Sequence, residues 1–310
     1  MRLKIIGSAA GGGFPQWNCN HRLSQAARFG QAGVRPRTQS SLAVSPDGKG
    51  WVLFNASPDI RQQIAATPEL QPRADGELRA TPIRAVVLTN GDVDHVAGLL
   101  SLRERQPFAL YATQEVLDVI AQNSIFNVLD PAIVPRRPLP LGETVAVLDG
   151  QGEETGLAVE AFAVAGKIAL YLEDSSDPQA DFGSDSGNTI GIRIADRGRN
   201  AFYVPGCARV DAALRERFAG ASCLLFDGTL YTDDEMIAAG VGQKTGRRMG
   251  HISMEGATGA VAALAGLAIG RRIFVHINNT NPVLDENSPE HARIRMAGWE
   301  IAHDGMELDL

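Results

Sequence analysis

Cysteine is scarce in this chain. Only Cys19, Cys207 and Cys223 occur among 310 residues, and their spacing suggests no disulfide framework. Such usage fits a reducing compartment, so a cytoplasmic protein is expected. Long apolar runs are missing too. The start, MRLKIIGSAAGGG, has too short an apolar run for a signal peptide. The most apolar long segment, Ala257 to Gly270, falls short of a membrane span and ends in Arg271-Arg272, so it reads as a buried helix and no membrane partner is expected. Basic residues are outnumbered, 29 against 36 acidic ones, for a net charge of −7. That balance argues against nucleic acid as a partner, because phosphate binding needs a dense basic face. One basic cluster, Lys244-Thr245-Gly246-Arg247-Arg248, reads as a solvated loop, with a small-anion site as the alternative.

What is present is a mixture of strand and helix signals. Strand-like runs cover Leu3–Ile6, Ser40–Val44, Trp51–Asn55, Ala85–Thr89, Leu157–Val164, Thr189–Ile194, Ala201–Val204, Cys223–Phe226 and Arg272–Ile277. Pro46-Asp47-Gly48-Lys49-Gly50 has the turn chemistry of a hairpin. Ser57-Pro58-Asp59 offers an N-cap and a proline at the first helical position, which predicts a helix to about Ala66. Further helices are expected from Ser253 and from Asn287-Ser288-Pro289. The acidic stretch Glu173 to Asn188 reads as a mobile surface loop. Hairpins and strand-turn-helix units occur in both halves, which predicts an α/β chain (of the α+β type) with two mixed sheets stacked face to face and helices outside. One domain over 1–310 is expected, with a doubly wound parallel sheet as the competing fold.

The chemistry is narrowed by another scarcity, for there are only six histidines. His291 and His303 lie in surface-like contexts, and His21 lies in a loop. His95, His251 and His276 each sit at a strand end or beside a glycine. Asp94 and His95 occur in NGDVDHVAGL, directly after the apolar run Ala85-Val86-Val87-Leu88-Thr89, where a strand-to-helix turn can aim both side chains into one cleft. Gly98 then allows close packing of the helix on the loop. Enzymes of the metallo-β-lactamase type carry His-x-His-x-Asp-His at this junction. Here Asn90 and Asp92 stand where the two leading histidines would be, so a two-metal centre is not expected. Two imidazoles and one carboxylate suit either a non-haem ferrous centre or a mononuclear zinc site.

Longer motifs carry a resemblance. GSAAGGGFPQWNCN (7–20), RPRTQSS (35–41), NASPDIRQQI (55–64), TNGDVDHVAGLLSLRE (89–104), YVPGCARV (203–210), LLFDGTL (224–230), GVGQKTGRRMGHIS (240–253) and FVHINNTNPVL (274–284) closely resemble the pyrroloquinoline quinone biosynthesis protein B family, a branch of the metallo-β-lactamase fold. The resemblance spans nearly the whole chain. It implies a four-layer αββα sandwich and iron(II)- and O2-dependent hydroxylation of the tyrosine ring of a small Glu-Tyr substrate. Asp94, His95 and His276 are the implied metal ligands, with zinc able to substitute for iron. Asp92 and His251 are the implied acid–base groups. Other enzymes of the same biosynthesis are implied as partners, and a homodimer is compatible with it. Asp227 and Cys207 are expected to be structural, and Asn90 a hydrogen-bonding relic of the lost ligand position.

One departure matters. Members commonly carry Cys-x-Cys-x-x-Cys in the early loop, whereas Cys19, His21 and Ser24 stand at those positions here. Serine is a poor zinc ligand, so no tight structural zinc is expected at Cys19 and His21, and packing of Phe14, Pro15 and Trp17 is expected to hold the loop. Two other readings remain open on the sequence: a mononuclear zinc hydrolase, and a carrier that escorts the finished quinone out of the cytoplasm.

Overall fold

The computed structural model describes residues 1–167, 172 and 187–310. Residues 173–186 of the expected surface loop lie outside the described residues. The first sheet is built from β1 (Arg2–Gly7), β2 (Ser41–Ser45), β3 (Trp51–Phe54), β4 (Ile83–Val87), β5 (Ala109–Ala112) and β6 (Arg136–Pro138). The second holds β7 (Thr144–Leu148), β8 (Glu154–Ala163), β9 (Ile190–Asp196), β10 (Arg199–Val204), β11 (Cys223–Asp227), β12 (Arg271–Val275) and β13 (Glu300–Ile301). The last strand, β14 (Met306–Asp309), crosses back to pair with β1. Among the described residues each sheet therefore has seven strands, ordered β14-β1-β2-β3-β4-β5-β6 and β13-β12-β11-β10-β9-β8-β7.

Side-chain alternation along each strand decides the layering. In β4, Ala85 and Val87 enter the core between the sheets, while Val86 points the other way. In β11, Cys223 and Leu225 enter the same central core, and Leu224 and Phe226 face outward. The outer face of the first sheet is covered by α2 (Ile60–Ala66) and α4 (Gln114–Gln122), whose Ile60, Val116, Leu117 and Ile120 join that layer. The outer face of the second is covered by α5 (Ala212–Phe218) and α8 (Pro289–Met296) through Leu214, Phe218 and Ile294. The result is the four-layer αββα sandwich, not the doubly wound sheet. The Trp51 hairpin is real: β2 and β3 pair antiparallel, and Asp47 Oδ1 accepts from the Lys49 and Gly50 N–H groups.

Some local expectations need correction. The helix expected from Ser57 starts at Ile60, because the Ser57 hydroxyl caps a turn at Asp59 rather than the helix itself. Nothing helical begins at Ser253. The segment Ala257 to Gly270 is not a long buried helix but a single turn at Ala260–Ala263. Of that stretch Gly259, Ala260, Leu264 and Ile269 are buried, and Ala–Gly composition supplies too little apolar area to hold a longer one against the sheet. The helix at Ser288 holds, with its hydroxyl accepting from His291 N. Among the described residues no helix is long and apolar enough to cross a membrane.

The strands β3 to β6 run parallel, as do β10 to β13, and the carboxyl ends of both sets meet at one end of the sandwich. Backbone bonds stitch the sheets there: Ile190 N donates to Thr89 O and Ala10 N to Ile277 O. The turn after β4 is clamped from the side by the loop after β3. Ala56 N donates to His95 O, Gly98 N donates to Ala56 O, and the buried Asn55 amide accepts from Thr89 N. A Cβ on Gly98 would sit 2.1 Å from the Ser57 carbonyl and 2.7 Å from that of Ala56. Backbone cannot yield as a side chain can. Gly98→Ala is therefore expected to destabilise the fold by at least ~2 kcal/mol, read as a lowered denaturant midpoint, whereas an unchanged midpoint would show that this clamp is soft.

Candidate metal centre

The turn after β4 is shaped by Asn90. Its Oδ1 accepts from Asp92 N at 3.0 Å, an Asx turn that leads into the short helix α3 (Val93–Val96). The same oxygen accepts from His95 Nδ1 at 2.7 Å, with Thr89 Oγ1 also within 3.3 Å of that nitrogen. An amide oxygen can only accept, so His95 carries its proton on Nδ1 and turns the Nε2 lone pair inward. That Nε2 is buried and makes no hydrogen bond. The expected role of Asn90 as a hydrogen-bonding relic thus has a definite geometry.

His276 follows β12 with a φ of 56°, a left-handed conformation that swings a non-glycine side chain off the strand line. Its Nε2 lies 3.1 Å from Asp94 Oδ2, and His95 Nε2 lies 3.7 Å from the same oxygen. The potential donor atoms of Asp94, His95 and His276 all fall within 4.8 Å of one another. A buried imidazole nitrogen without a partner, beside a second imidazole and a carboxylate, fits a divalent cation: Asp94 and His95 from the first sheet, His276 from the second. Burial opposes ionisation of Asp94, but the neighbouring His95 and His276 hold its carboxyl well below the usual carboxylate range. Burial lowers His95, which favours the neutral imidazole a metal requires. Burial also acts against charge on His276, but the hydrogen bond and charge of Asp94 outweigh it and raise that group above its ordinary value.

His251 stacks on His276 with ring centroids 5.1 Å apart and 20° between planes. Its Nδ1 is 2.7 Å from Asp227 Oδ2, which fixes the ring and leaves Nε2 for the cleft. Asp227 itself is fully buried and accepts from the Cys207 and Thr229 N–H groups. It is thus a backbone-bonding acid as expected, with a second duty toward His251. Cys207 donates its thiol to Arg209 O at 3.0 Å, and burial together with Asp227 pushes the thiol well up, so it remains protonated. His291 bonds Val283 O and His303 is exposed, both apart from the cleft.

These groups open into a cleft of 570 Å³ lined by Asp92, Asp94, His95, His251 and His276, with Lys167 and Lys244 among its other walls. The basic cluster is therefore divided: Lys244 reaches the cleft and Arg247 is exposed. Lys167, Thr229 and Asn278 escaped the sequence reading, since nothing in a lone lysine, threonine or asparagine signals a site. The early loop differs from expectation in one respect. Phe14 is buried, but Trp17 is 86% exposed and packs on nothing that would hold it. Arg28 holds the loop instead, donating to the carbonyls of Gln16 and Cys19. Cys19 Sγ contacts Asn279 Oδ1 and His21 N, and among the described residues no group of three metal-type donors includes Cys19 or His21.

A polar chain backs the cleft wall. Asn278 Nδ2 donates to Thr280 Oγ1 at 2.7 Å, and Thr280 donates to the buried carboxyl of Glu235. Burial pushes Glu235 up to about 7, well above its ordinary 4.5, despite that bond and one from Tyr231 N.

Comparison with known proteins gives a consistent picture. The family model described as "Beta-lactamase superfamily domain" matches residues 50–277. The chain is 55% identical over all 310 residues to "Coenzyme PQQ synthesis protein B" of Methylorubrum extorquens (strain PA1), covering 100% of both. It is 50% identical, again over both full lengths, to the protein of that name from Xanthomonas oryzae pv. oryzae (strain MAFF 311018). Among solved structures, the Zn(2+)-bound PqqB from Methylobacterium extorquens superposes with a TM-score of 0.95 at 55% identity over 100% of both chains. A diphosphatase from the PhnP family shares the fold at 20% identity and a TM-score of 0.68, covering 100% of this chain and 97% of its own.

Two outcomes follow from this geometry. Asn90→Ala removes both the turn and the His95 partner, so divalent-metal affinity should fall about 10–100-fold in a protein that still folds by circular dichroism. Unaltered affinity would show that Asn90 does not orient His95. For Glu235, the folded chain keeps its proton to a higher pH than the unfolded chain, so stability falls as pH rises from 4.5 toward 7. Glu235→Gln lacks that loss, and its denaturation midpoint should gain on the wild type between about pH 5 and about pH 8. A constant difference across that range would contradict the raised value.

Proposed function

The chain belongs to the coenzyme PQQ synthesis protein B family within the beta-lactamase superfamily, and from that premise we propose that it is an iron(II)- and O2-dependent hydroxylase of the tyrosine ring of the Glu-Tyr intermediate. The observation that carries this reading is the donor set Asp94, His95 and His276 around the unpartnered His95 Nε2, with Asn90 committed to hydrogen bonds where a second metal's ligand would stand. Bound there, ferrous iron would supply dioxygen activation for ring oxygenation. Zinc fills the same ligand chemistry, and the 55% identical relative was solved bound to Zn(2+).

The chain's own residues do the rest. The 570 Å³ cleft has the size of a small-ligand site and admits a dipeptide-sized molecule. Lys167 and Lys244 on its walls suit the carboxylates such a molecule carries. A tyrosine ring is more electron-rich as phenolate than as phenol, so a base that takes the phenolic proton favours oxygenation. His251, with Nδ1 tied to Asp227, presents Nε2 for that proton, and Asp92 at the cleft wall is the second candidate. The Asp227–His251 pair also favours a second reading, a mononuclear zinc hydrolase, in which the same base would draw a proton from water.

Oxygen uptake separates the two. Protein loaded anaerobically with ferrous iron should consume dioxygen when given the Glu-Tyr substrate and a chemical reductant such as ascorbate, which supplies the two electrons that hydroxylation requires. A hydrolase or a carrier would consume none. His276→Ala should lose the metal and the activity together while the fold persists. His251→Gln and Asp92→Asn should keep the metal, and the one that acts as the base should slow turnover by ~10²–10⁴. If neither slows it beyond about tenfold, acid–base catalysis by this pair is ruled out.

A further inference from the structure

Thr229 follows Asp227 and Gly228 at the end of β11, is 4% exposed, and its hydroxyl touches four groups at once. It lies 2.7 Å from Asp227 Oδ1, 2.8 Å from His276 Nδ1, 3.0 Å from His251 Nδ1 and 3.1 Å from His276 O. A hydroxyl has one proton and two acceptor lone pairs. The proton goes to the carboxylate, which is the nearer and the charged acceptor. Both lone pairs are then left facing imidazole Nδ1 atoms, and each of those must carry hydrogen.

We infer that Thr229 is a positioning residue that sets the tautomer of His276 and couples that ligand to His251 through one hydroxyl oxygen. With Nδ1–H held by Thr229, the ring keeps Nε2, the atom that faces Asp94, as the one free to offer a lone pair. The opposite tautomer would set an Nδ1 lone pair against the hydroxyl oxygen, or would turn the hydroxyl away from Asp227. His251 shares its own Nδ1–H between Asp227 Oδ2 and the same threonine oxygen, so a displacement of either ring is felt by the other across Oγ1. The same accounting bars a second cation among Asp227, His251 and His276. Their facing atoms come close enough for one, but their lone pairs and protons are already matched to each other and to Thr229.

The inference rests on the reading of Asp94, His95 and His276 as a metal centre, so the experiment has one arm that needs no metal. In the metal-free wild type, nitrogen-15 NMR of the histidine rings should show neutral His276 as the Nδ1–H tautomer, and Thr229→Val should shift the Nδ1–H signals of both His276 and His251. In the second arm, zinc affinity is measured by chelator competition on proteins whose fold is checked by circular dichroism. Thr229→Val should bind zinc about 10–100-fold more weakly, the usual effect of losing a partner that orients a ligand, while Thr229→Ser should stay close to wild type. An Nε2–H tautomer at His276 in the neutral metal-free protein would overturn the inference even if the valine variant failed to fold. So would a folded valine variant with wild-type affinity, or a serine variant as weak as valine. A wild type that shows the Nδ1–H form yet binds no zinc would uphold the tautomer and sink the metal-centre reading, and the coupling to a ligand with it.

Discussion

An imidazole can serve a cation or a substrate through Nε2 only if its Nδ1 is committed elsewhere. Three such commitments organise this cleft: His95 to Asn90, His251 to Asp227 and His276 to Thr229. Each partner is itself held by backbone. Asn90 closes the Asx turn at Asp92, Asp227 accepts two main-chain N–H groups, and Thr229 N is bonded to Asp227. The cleft is therefore rigid in the one respect that matters for its chemistry, the direction of three lone pairs. Loss of the two leading histidines of the metallo-β-lactamase pattern did not leave a gap. Asn90 converts one former ligand position into the support for a remaining ligand.

How much of this was legible before the structure depends on the kind of signal each residue gives. Asp94, His95 and His276 stand directly after apolar runs long enough to read as buried strands, and rare residue types at such junctions stand out. Asp227 was visible for the same reason, and His251 as one of only six histidines, set beside a glycine. Thr229 was not, because threonine is common and its role exists only through partners 2, 22 and 47 residues away. Short edge strands such as β6 and β13 gave no pattern, being only three and two residues long. The Ala257–Gly270 segment misled in the opposite direction: its alanines count as apolar in composition but bury too little area to fix a helix. Trp17 misled likewise, since a large apolar side chain in a loop need not be packed.

The layered fold, by contrast, follows from alternation. Strands such as β4 and β11 are apolar on both faces because one face meets the other sheet and the second meets a helix, and four layers are what satisfies both at once. The parallel pairs in each sheet then bring their carboxyl ends to one edge, where chain reversals such as the left-handed His276 can place polar side chains that no regular strand position allows.

The three candidate ligands are unevenly shared between the sheets, two on one and one on the other. A cation seated among them would act as a mechanical fastener across the central core. Sliding of one sheet over the other by a fraction of an ångström would open the bite between Asp94 and His276, so ion release and shear of the sandwich become a single motion. Tightness of the ion would then report on the stiffness of the whole molecule as much as on the donors that touch it.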